Sequence, residues 1–175
     1  MRLFIAIELE EEQRDTLFQS VMDLKKESAA GVFSLRENLH LTLVFLGELT
    51  RYDGVVRAME AVKAPPFSLT VEGIGCFRHS RLYYRKVNAP EALYHLYEQL
   101  CLRLKAEGLT VETRPYKPHM TLGRQVAVRE GFDPDFFDRG HPAFSVPVTG
   151  ITLMKSERVG GKLCYTPLFW KRLEE

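Results

Sequence analysis

Residues 38–45 read NLHLTLVF, and residues 117–124 read KPHMTLGR. Both stretches contain a histidine, an apolar residue, a threonine and a leucine in the same order, with His40 in the first half of the chain and His119 in the second. On a β-strand, residues i and i+2 point to the same face, so each stretch presents an imidazole beside a hydroxyl group. The repeated pattern therefore predicts two equivalent strands that direct two imidazoles and two hydroxyls into one cleft.

Two imidazoles in one cleft are suited to acid-base catalysis. Imidazole has an ordinary pKa of about 6.5, so one copy can be neutral and another cationic at neutral pH. Displacement at phosphorus needs a base for the incoming oxygen and an acid for the leaving oxygen, on opposite sides. His40 and His119 are the candidates, and the near symmetry of the two stretches leaves open which of them is the acid. Thr42, Thr121 and the forked guanidinium of Arg124 are candidate donors to the phosphoryl oxygens.

The rest of the chain predicts helices that alternate with pairs of strands. Alternating apolar residues predict strands at residues 2–9, 32–35, 41–46, 67–71, 82–87, 119–124, 151–156 and 163–170. Helices are expected between residue 10 and Gly31, over 53–64, and from Pro90 to Gly108. Residues 67–87 and 151–170 each read as a hairpin, and Trp170 is expected in the core. Paired strands favour an antiparallel α+β fold over a doubly wound parallel sheet.

The composition is that of a single globular domain spanning residues 1–175. The chain is 45% hydrophobic and 27% charged, which argues against disordered, fibrous and membrane-spanning classes. A formal net charge of +1 creates no overall field for polyanions, so any contact with nucleic acid must be local. Cys76, Cys101 and Cys164 form no C-x-x-C pair, and no apolar run approaches the about 18 residues of a membrane span. We therefore expect a cytoplasmic protein with reduced thiols.

Beyond the two motifs, the chain resembles the two-histidine phosphoesterase superfamily over nearly its whole length. The likeness includes RLFIAI at residues 2–7, ENLHLTLVFLG at 37–47 and RPYKPHMTLGR at 114–124. In that superfamily the motifs extend to H-x-T-x-x-F and H-x-T-x-x-R, and Phe45 and Arg124 supply both extensions here. Within the superfamily, the chain is similar to the LigT-like RNA 2′,3′-cyclic phosphodiesterases.

This resemblance implies a bilobed α+β fold in which two antiparallel sheets face each other across a central cleft, with the helices outside. It implies metal-independent hydrolysis of RNA ends or nucleotides that carry a 2′,3′-cyclic phosphate, giving 2′-phosphomonoesters, with no cofactor and no membrane. Reversible 2′,5′ ligation is a second reaction that it raises, and a monomer is expected. By likeness, His40 is the general acid for the O3′ leaving group and His119 the general base for water. Arg124 would then bind the phosphate, and Phe45 would stack on the terminal base.

Regular strand geometry conflicts with the roles of Phe45 and Arg124. Each lies five residues beyond its histidine, and such positions fall on opposite faces of a regular strand. Gly123 can supply a bulge that returns Arg124 to the catalytic face. No glycine lies between Thr42 and Phe45, so we expect either that the first strand ends there or that Phe45 belongs to the core.

Two other hypotheses compete with a metal-free phosphodiesterase. A metal hydrolase needs clustered ligands, but the sequence has no H-x-x-x-H or H-E-x-x-H motif and no acidic residue within either histidine motif, 38–45 or 117–124. A non-catalytic module that binds RNA ends is supported by Arg114, Tyr116 and Lys117 near the second motif, and by Phe45. Such a module does not need two matched His-Thr pairs, and turnover of cyclic-phosphate RNA would separate the two hypotheses.

Overall fold

The computed structural model describes all 175 residues, which form four α-helices, nine β-strands and one 3-10 helix. In chain order these are β1 (Arg2–Glu8), α1 (Glu11–Lys26), β2 (Ser28–Phe33), the 3-10 helix (Arg36–Asn38), β3 (His40–Glu48), α2 (Asp53–Glu60), β4 (Phe67–Phe77), β5 (Leu82–Asn88), α3 (Glu91–Ala106), β6 (His119–Val128), α4 (Pro134–Arg139), β7 (Phe144–Val148), β8 (Gly150–Val159) and β9 (Lys162–Arg172). No helix is both long enough and apolar enough to cross a membrane.

The strands form two sheets, and every pair of neighbouring strands is antiparallel. Sheet I has the order β3-β1-β8-β9, and sheet II has the order β2-β6-β5-β4-β7. The strand that begins with His40 lies in sheet I, and the strand that begins with His119 lies in sheet II. The predicted α+β class, with antiparallel sheets that each contribute one histidine strand, is confirmed.

Two helices pack on each sheet. Helices α1 and α4 pack on sheet II, while α2 and α3 pack on sheet I. The leucine stripe predicted for α3 faces inward completely, since all four of its leucines have no exposed surface: Leu93, Leu96, Leu100 and Leu104. Leu41 and Met120, which separate each histidine from its threonine, are also fully buried. Burial of such a side chain contributes about 1.5–3 kcal/mol, which fixes the register of both histidine strands.

Several predicted boundaries are wrong. The first helix does not run to Gly31, because the chain leaves it at Glu27 and enters β2, where Gly31 lies inside the strand. The helix predicted over 53–64 ends at Glu60, well before the two prolines expected to stop it. Helix α4 and strand β7 have no counterpart in the prediction, since six and five residues are too few to show a clear apolar period. Both predicted hairpins are confirmed as β4–β5 and β8–β9.

The expectation that Trp170 lies in the core is also wrong. Its side chain is 49% exposed. Trp170 lies on β9, the edge strand of sheet I, and pairs with Thr152 on β8. An edge strand has a neighbour on one side only, so the indole ring is left partly uncovered.

Candidate active site

The two histidine strands approach each other where sheet I meets sheet II. Strands β3 and β6 are in contact, and the hydroxyl of Tyr116 donates a hydrogen bond to the carbonyl oxygen of Thr42 at 2.8 Å. This bond ties the segment that leads into β6 to the middle of β3. The fold therefore brings His40 and His119 together although they lie in different halves of the chain.

The same backbone interaction orients both imidazoles. Nδ1 of His40 lies 2.7 Å from the carbonyl oxygen of Asn38, and Nδ1 of His119 lies 2.6 Å from that of Lys117. A carbonyl oxygen can only accept a hydrogen bond, so Nδ1 carries the proton in both rings. Nε2 then carries the lone pair of the neutral imidazole. Nε2 is thus the nitrogen of each ring that is available to a substrate.

The two rings differ at Nε2. In His40 this nitrogen accepts a hydrogen bond from the hydroxyl of Thr42 at 2.7 Å. Thr121 stands at the equivalent position beside His119, but the structure contains no bond between the Thr121 hydroxyl and the His119 ring. The predicted pairing of imidazole and hydroxyl on one strand face is therefore realised as a direct bond in sheet I only.

Burial lowers the pKa values of both imidazoles. For His40 the pKa falls to about 4, mainly because the ring is desolvated; the bond to Asn38 opposes this shift, and the charges of Arg124 and His119 add to it. The pKa of His119 is also lowered, first by burial and then by Arg124, against the bond to Lys117. Both rings are therefore neutral at pH 7 in the free protein. A bound phosphate anion would raise both pKa values, because negative charge stabilises imidazolium.

A β-bulge in β3 turns Phe45 toward the face that carries His40. The register against β1 shifts at Leu43 and Val44, and both of these consecutive side chains are buried. The extra residue reverses the alternation, so that Phe45 joins the histidine face with its side chain 51% exposed. The expectation that Phe45 ends the strand or belongs to the core is wrong, because β3 continues to Glu48 and bulges without a glycine.

The equivalent bulge in β6 lies at Leu122 and Gly123, the matching place in the second motif. The register against β5 shifts there, which confirms the bulge predicted at Gly123. Arg124 follows as an exposed side chain with no hydrogen bond or ion pair to the protein. Its charge nevertheless affects the pKa values of both His40 and His119, which places the guanidinium near both rings.

Aromatic rings that the sequence did not reveal surround both imidazoles. In sheet I, the rings of Phe4 and Tyr165 lie 5.1 and 5.3 Å from the His40 ring between centroids, and Phe4 also lies 6.3 Å from Phe45. These residues belong to β1 and β9, and neither lies in a histidine motif. Their carbon surface excludes water from His40, which explains the lowered pKa.

Sheet II surrounds His119 in the same way. The rings of Phe77 and Tyr84 lie 4.9 and 5.4 Å from the His119 ring. Gly75 on β4 lies opposite Tyr84 on β5. A Cβ atom on residue 75 would be 2.6 Å from Cζ of the tyrosine ring. The glycine thus leaves the space that the Tyr84 ring fills.

No group of three or more His, Cys, Asp or Glu side chains is arranged to hold a metal ion. The other histidines lie elsewhere. His141 bonds to the Phe137 carbonyl and to the carboxylate of Asp23, while His79 and His95 are exposed. Catalysis without a metal stays a prediction that chelation can test.

Similarity to known proteins identifies the family of this chain. Residues 14–160 match the family model of the 2′-5′ RNA ligase superfamily. The chain belongs to that superfamily. Within the superfamily, it is 31% identical over 171 residues to an RNA 2′,3′-cyclic phosphodiesterase of Escherichia coli strain K12, which covers 95% of this chain and 93% of that protein. It is also 33% identical over 133 residues to an RNA 2′,3′-cyclic phosphodiesterase of Thermotoga maritima, covering 71% of this chain and 70% of that protein.

A solved structure in the same superfamily shares the whole fold. E. coli LigT complexed with 3′-AMP superposes with a TM-score of 0.84 at 30% sequence identity, covering 99% of this chain and 98% of that chain. The LigT-like resemblance inferred from the two histidine motifs is therefore confirmed. The bilobed arrangement of two antiparallel sheets is confirmed with it.

Proposed function

We propose that this member of the 2′-5′ RNA ligase superfamily hydrolyses RNA 2′,3′-cyclic phosphodiester ends to 2′-phosphomonoesters, with His40 and His119 as a metal-independent acid-base pair. The observation that carries the proposal is the matched orientation of the two imidazoles. Each Nδ1 donates to the carbonyl two residues earlier, so each ring directs Nε2 toward its threonine and the cleft; Nε2 of His119 has no partner in the protein, and Nε2 of His40 accepts only from Thr42. The relatives named RNA 2′,3′-cyclic phosphodiesterase support the substrate class.

In the proposed reaction, His119 accepts a proton from water as the water oxygen attacks phosphorus. His40 donates a proton to O3′ as the P–O3′ bond breaks, so the phosphate stays on O2′. The assignment of His40 as acid and His119 as base follows the family resemblance. The acid needs a proton on Nε2, and the negative charge of the cyclic phosphate favours that state by raising the pKa of the ring.

The side chains around the rings have distinct proposed tasks. The forked guanidinium of Arg124 has no protein partner and is free to meet two phosphoryl oxygens. Thr42 and Thr121 donate to the same oxygens, and Thr42 is released for this when Nε2 of His40 takes up a proton and no longer accepts its hydroxyl. Phe45 offers a half-exposed ring on which the terminal base stacks.

A monomer is sufficient for this reaction, because both histidines come from one chain. We propose that the protein acts as a monomer in the cytoplasm, where its free thiols Cys76, Cys101 and Cys164 stay reduced. Light scattering of the purified protein would measure the mass of a single chain. A mass of twice that value at assay concentration would contradict the monomer.

The test is turnover of an oligonucleotide that ends in a 2′,3′-cyclic phosphate, measured in excess chelator. The wild-type protein is expected to remain active, while His40→Ala and His119→Ala each lose at least about 10²-fold in rate, because each removes one proton transfer. The matched control is His95→Ala, which replaces an exposed histidine on α3 and should keep full activity. Activity that disappears in chelator and returns with a divalent ion would contradict the metal-free mechanism, and an absence of turnover would favour the RNA-end-binding module.

The product tests the assignment of the two roles. Phosphorus NMR, or digestion with a 3′-specific phosphatase, distinguishes a 2′-phosphomonoester from a 3′-phosphomonoester. In-line displacement with His40 at O3′ gives only the 2′-phosphate. A predominantly 3′-phosphate product would show that the roles of His40 and His119, or the orientation of the ribose, are reversed.

A further inference from the structure

The carbonyl oxygen that orients His40 belongs to a residue that is itself buried and bonded. Asn38 is only 8% exposed, and its side-chain Nδ2 donates a hydrogen bond to the carbonyl oxygen of Leu163 at 2.8 Å. The carbonyl oxygen of Asn38 accepts the 2.7 Å bond from Nδ1 of His40. Asn38 therefore connects the imidazole to β9, through a residue that lies 125 positions further along the chain.

Asn38 is the last residue of the 3-10 helix, where backbone carbonyl groups lack partners within the helix. The guanidinium of Arg14 on α1 donates to the two preceding carbonyl oxygens, that of Glu37 at 3.0 Å and that of Arg36 at 3.5 Å. The carbonyl of Asn38 is left for the imidazole of His40. Contacts with both α1 and β9 thus hold the segment that leads into the first histidine strand.

Strand β9 contacts the imidazole as well as Asn38. The ring of Tyr165 stands edge-on to the His40 ring, with centroids 5.3 Å apart and an interplanar angle of 85°. The same hairpin also reaches the 3-10 helix through the ion pair of Lys162 with Glu37 at 2.9 Å, but both side chains are more than half exposed. Exposed ion pairs contribute little to stability. The amide of Asn38 is therefore the buried one of these two polar links.

The second histidine lacks this support. Lys117 stands at the matching position, two residues before His119, and its carbonyl oxygen lies 2.6 Å from Nδ1 of that ring. The side chain of Lys117 is exposed and forms no hydrogen bond or ion pair with the protein. The two nearly symmetric motifs therefore differ in what fixes the carbonyl that orients the imidazole.

We infer that Asn38 is a positioning residue for the general acid, because it holds the carbonyl that fixes the orientation and the protonated nitrogen of His40. This inference rests on the proposed function, in which His40 protonates O3′. After Nε2 has given up its proton, His40 is the neutral tautomer with a proton on Nδ1, which is the form that donates to the Asn38 carbonyl. Before donation the same carbonyl accepts from the imidazolium, and a hydrogen bond from a charged donor is the stronger one.

The Asn38 carbonyl acts against the other influences on the ring. Burial lowers the pKa of His40 most, the bond to Asn38 raises it, and the charges of Arg124, His119 and Arg14 lower it further. A displaced carbonyl would therefore make the imidazolium less stable and the acid harder to protonate. The titratable and charged groups around the ring come from four elements: Glu8 on β1, Arg14 on α1, His119 and Arg124 on β6, and Tyr165 on β9.

The experiment measures turnover of a cyclic-phosphate oligonucleotide by wild type, Asn38→Ala and Asn38→Leu at pH 5 and pH 8. Both variants lack the amide donor, and leucine keeps the branched shape of asparagine. At pH 8 kcat should fall about tenfold with little change in KM, because a hydrogen bond to a charged group is worth about one pKa unit or more. The loss should be smaller at pH 5, because acid protonates His40 in the variants as well.

Nitrogen-15 NMR of the histidine rings at pH 7 tests the inference without reference to activity. In wild type both His40 and His119 should carry the proton on Nδ1. In the Asn38 variants the His40 ring should show a mixture of tautomers, while His119 stays unchanged and is the internal control. Lys162→Ala is the matched control for the hairpin, because it removes the exposed link between the same two segments. It should leave kcat, its pH dependence and the His40 spectrum unchanged.

The outcomes separate this inference from the proposed function. Asn38 variants that keep the wild-type kcat at pH 8, with His40 still protonated on Nδ1, would overturn the inference and leave the phosphodiesterase intact. A loss of kcat that is equal at pH 5 and pH 8 would also overturn it, because Asn38 would then have a structural role only. If neither variant folds, the wild-type spectrum decides: a proton on Nδ1 of His40 supports the inference, and a proton on Nε2 overturns it. An oligonucleotide that wild type does not consume would contradict the proposed function itself.

Discussion

Replacement of His40 by glutamine is expected to make the fold less sensitive to acid. In the unfolded chain the imidazole has its ordinary pKa of 6.5, whereas burial in the fold lowers that pKa to about 4. Between these two values the unfolded chain binds a proton that the folded chain does not. The free energy of unfolding therefore falls as the pH drops from 6.5 to 4, and the contribution becomes constant below that range.

The size of this effect follows from the two pKa values. One pKa unit corresponds to about 1.4 kcal/mol, so the full shift is worth about 3.4 kcal/mol. At pH 4 the folded ring is half protonated, and the loss relative to pH 7 is about 3 kcal/mol. For a chain of this size, such a loss corresponds to a decrease of about 6–12 °C in Tm.

Urea unfolding at pH 7 and pH 4 measures the effect in wild type, His40→Gln and His95→Gln. Carboxylates titrate in all three proteins and lower the free energy of unfolding in each. The comparison is therefore made between proteins, on how much unfolding free energy each one loses from pH 7 to pH 4. Wild type and His95→Gln should each lose about 3 kcal/mol more than His40→Gln. The comparison holds even if His40→Gln is less stable at pH 7. Parallel losses in wild type and His40→Gln would refute the argument that burial keeps this imidazole neutral.

Three further outcomes concern catalysis. The pH optimum of kcat/KM should lie below 6.5, because kcat/KM reports the lowered pKa values of His40 and His119 in the free enzyme. The pH optimum of kcat should be higher, because bound phosphate raises both pKa values. Identical optima would contradict this. Arg124→Ala should reduce kcat more than it raises KM, and Arg124→Lys should not restore it fully, since lysine lacks the fork; full rescue by lysine would show that charge alone is enough. Phe45→Ala should weaken substrate binding by about 1–3 kcal/mol with little change in Tm; a large fall in Tm with unchanged affinity would return Phe45 to a structural role.

The local features of the site follow from sequence because they depend on alternation within one strand. His40 and Thr42 share a face and are bonded, and the apolar residue between them is buried, as period two requires. The second motif has the same spacing, so His119 and Thr121 share a strand face in the same way. The His119 ring is also oriented by the carbonyl oxygen two residues earlier, as the His40 ring is. The paired strands, the leucine stripe of α3 and the bulge at Gly123 were also accessible, because each leaves a local pattern.

Other features of the site depend on residues far away in the chain and leave no such pattern. The bulge at Leu43 and Val44 arises from the pairing of β3 with β1, so regular alternation along the strand predicted the wrong face for Phe45. The motifs suggested that one imidazole can be neutral and the other charged, but desolvation by rings such as Tyr165 from the end of the chain lowers both pKa values. A cavity beside His119 is likewise built from β4, β5, α3 and the segment before β6. Alternation along one strand, which is visible in the sequence, determined which strand face each imidazole occupies. The burial of each imidazole and the charges near it depend on every element packed around the ring, so only the tertiary structure decided its pKa.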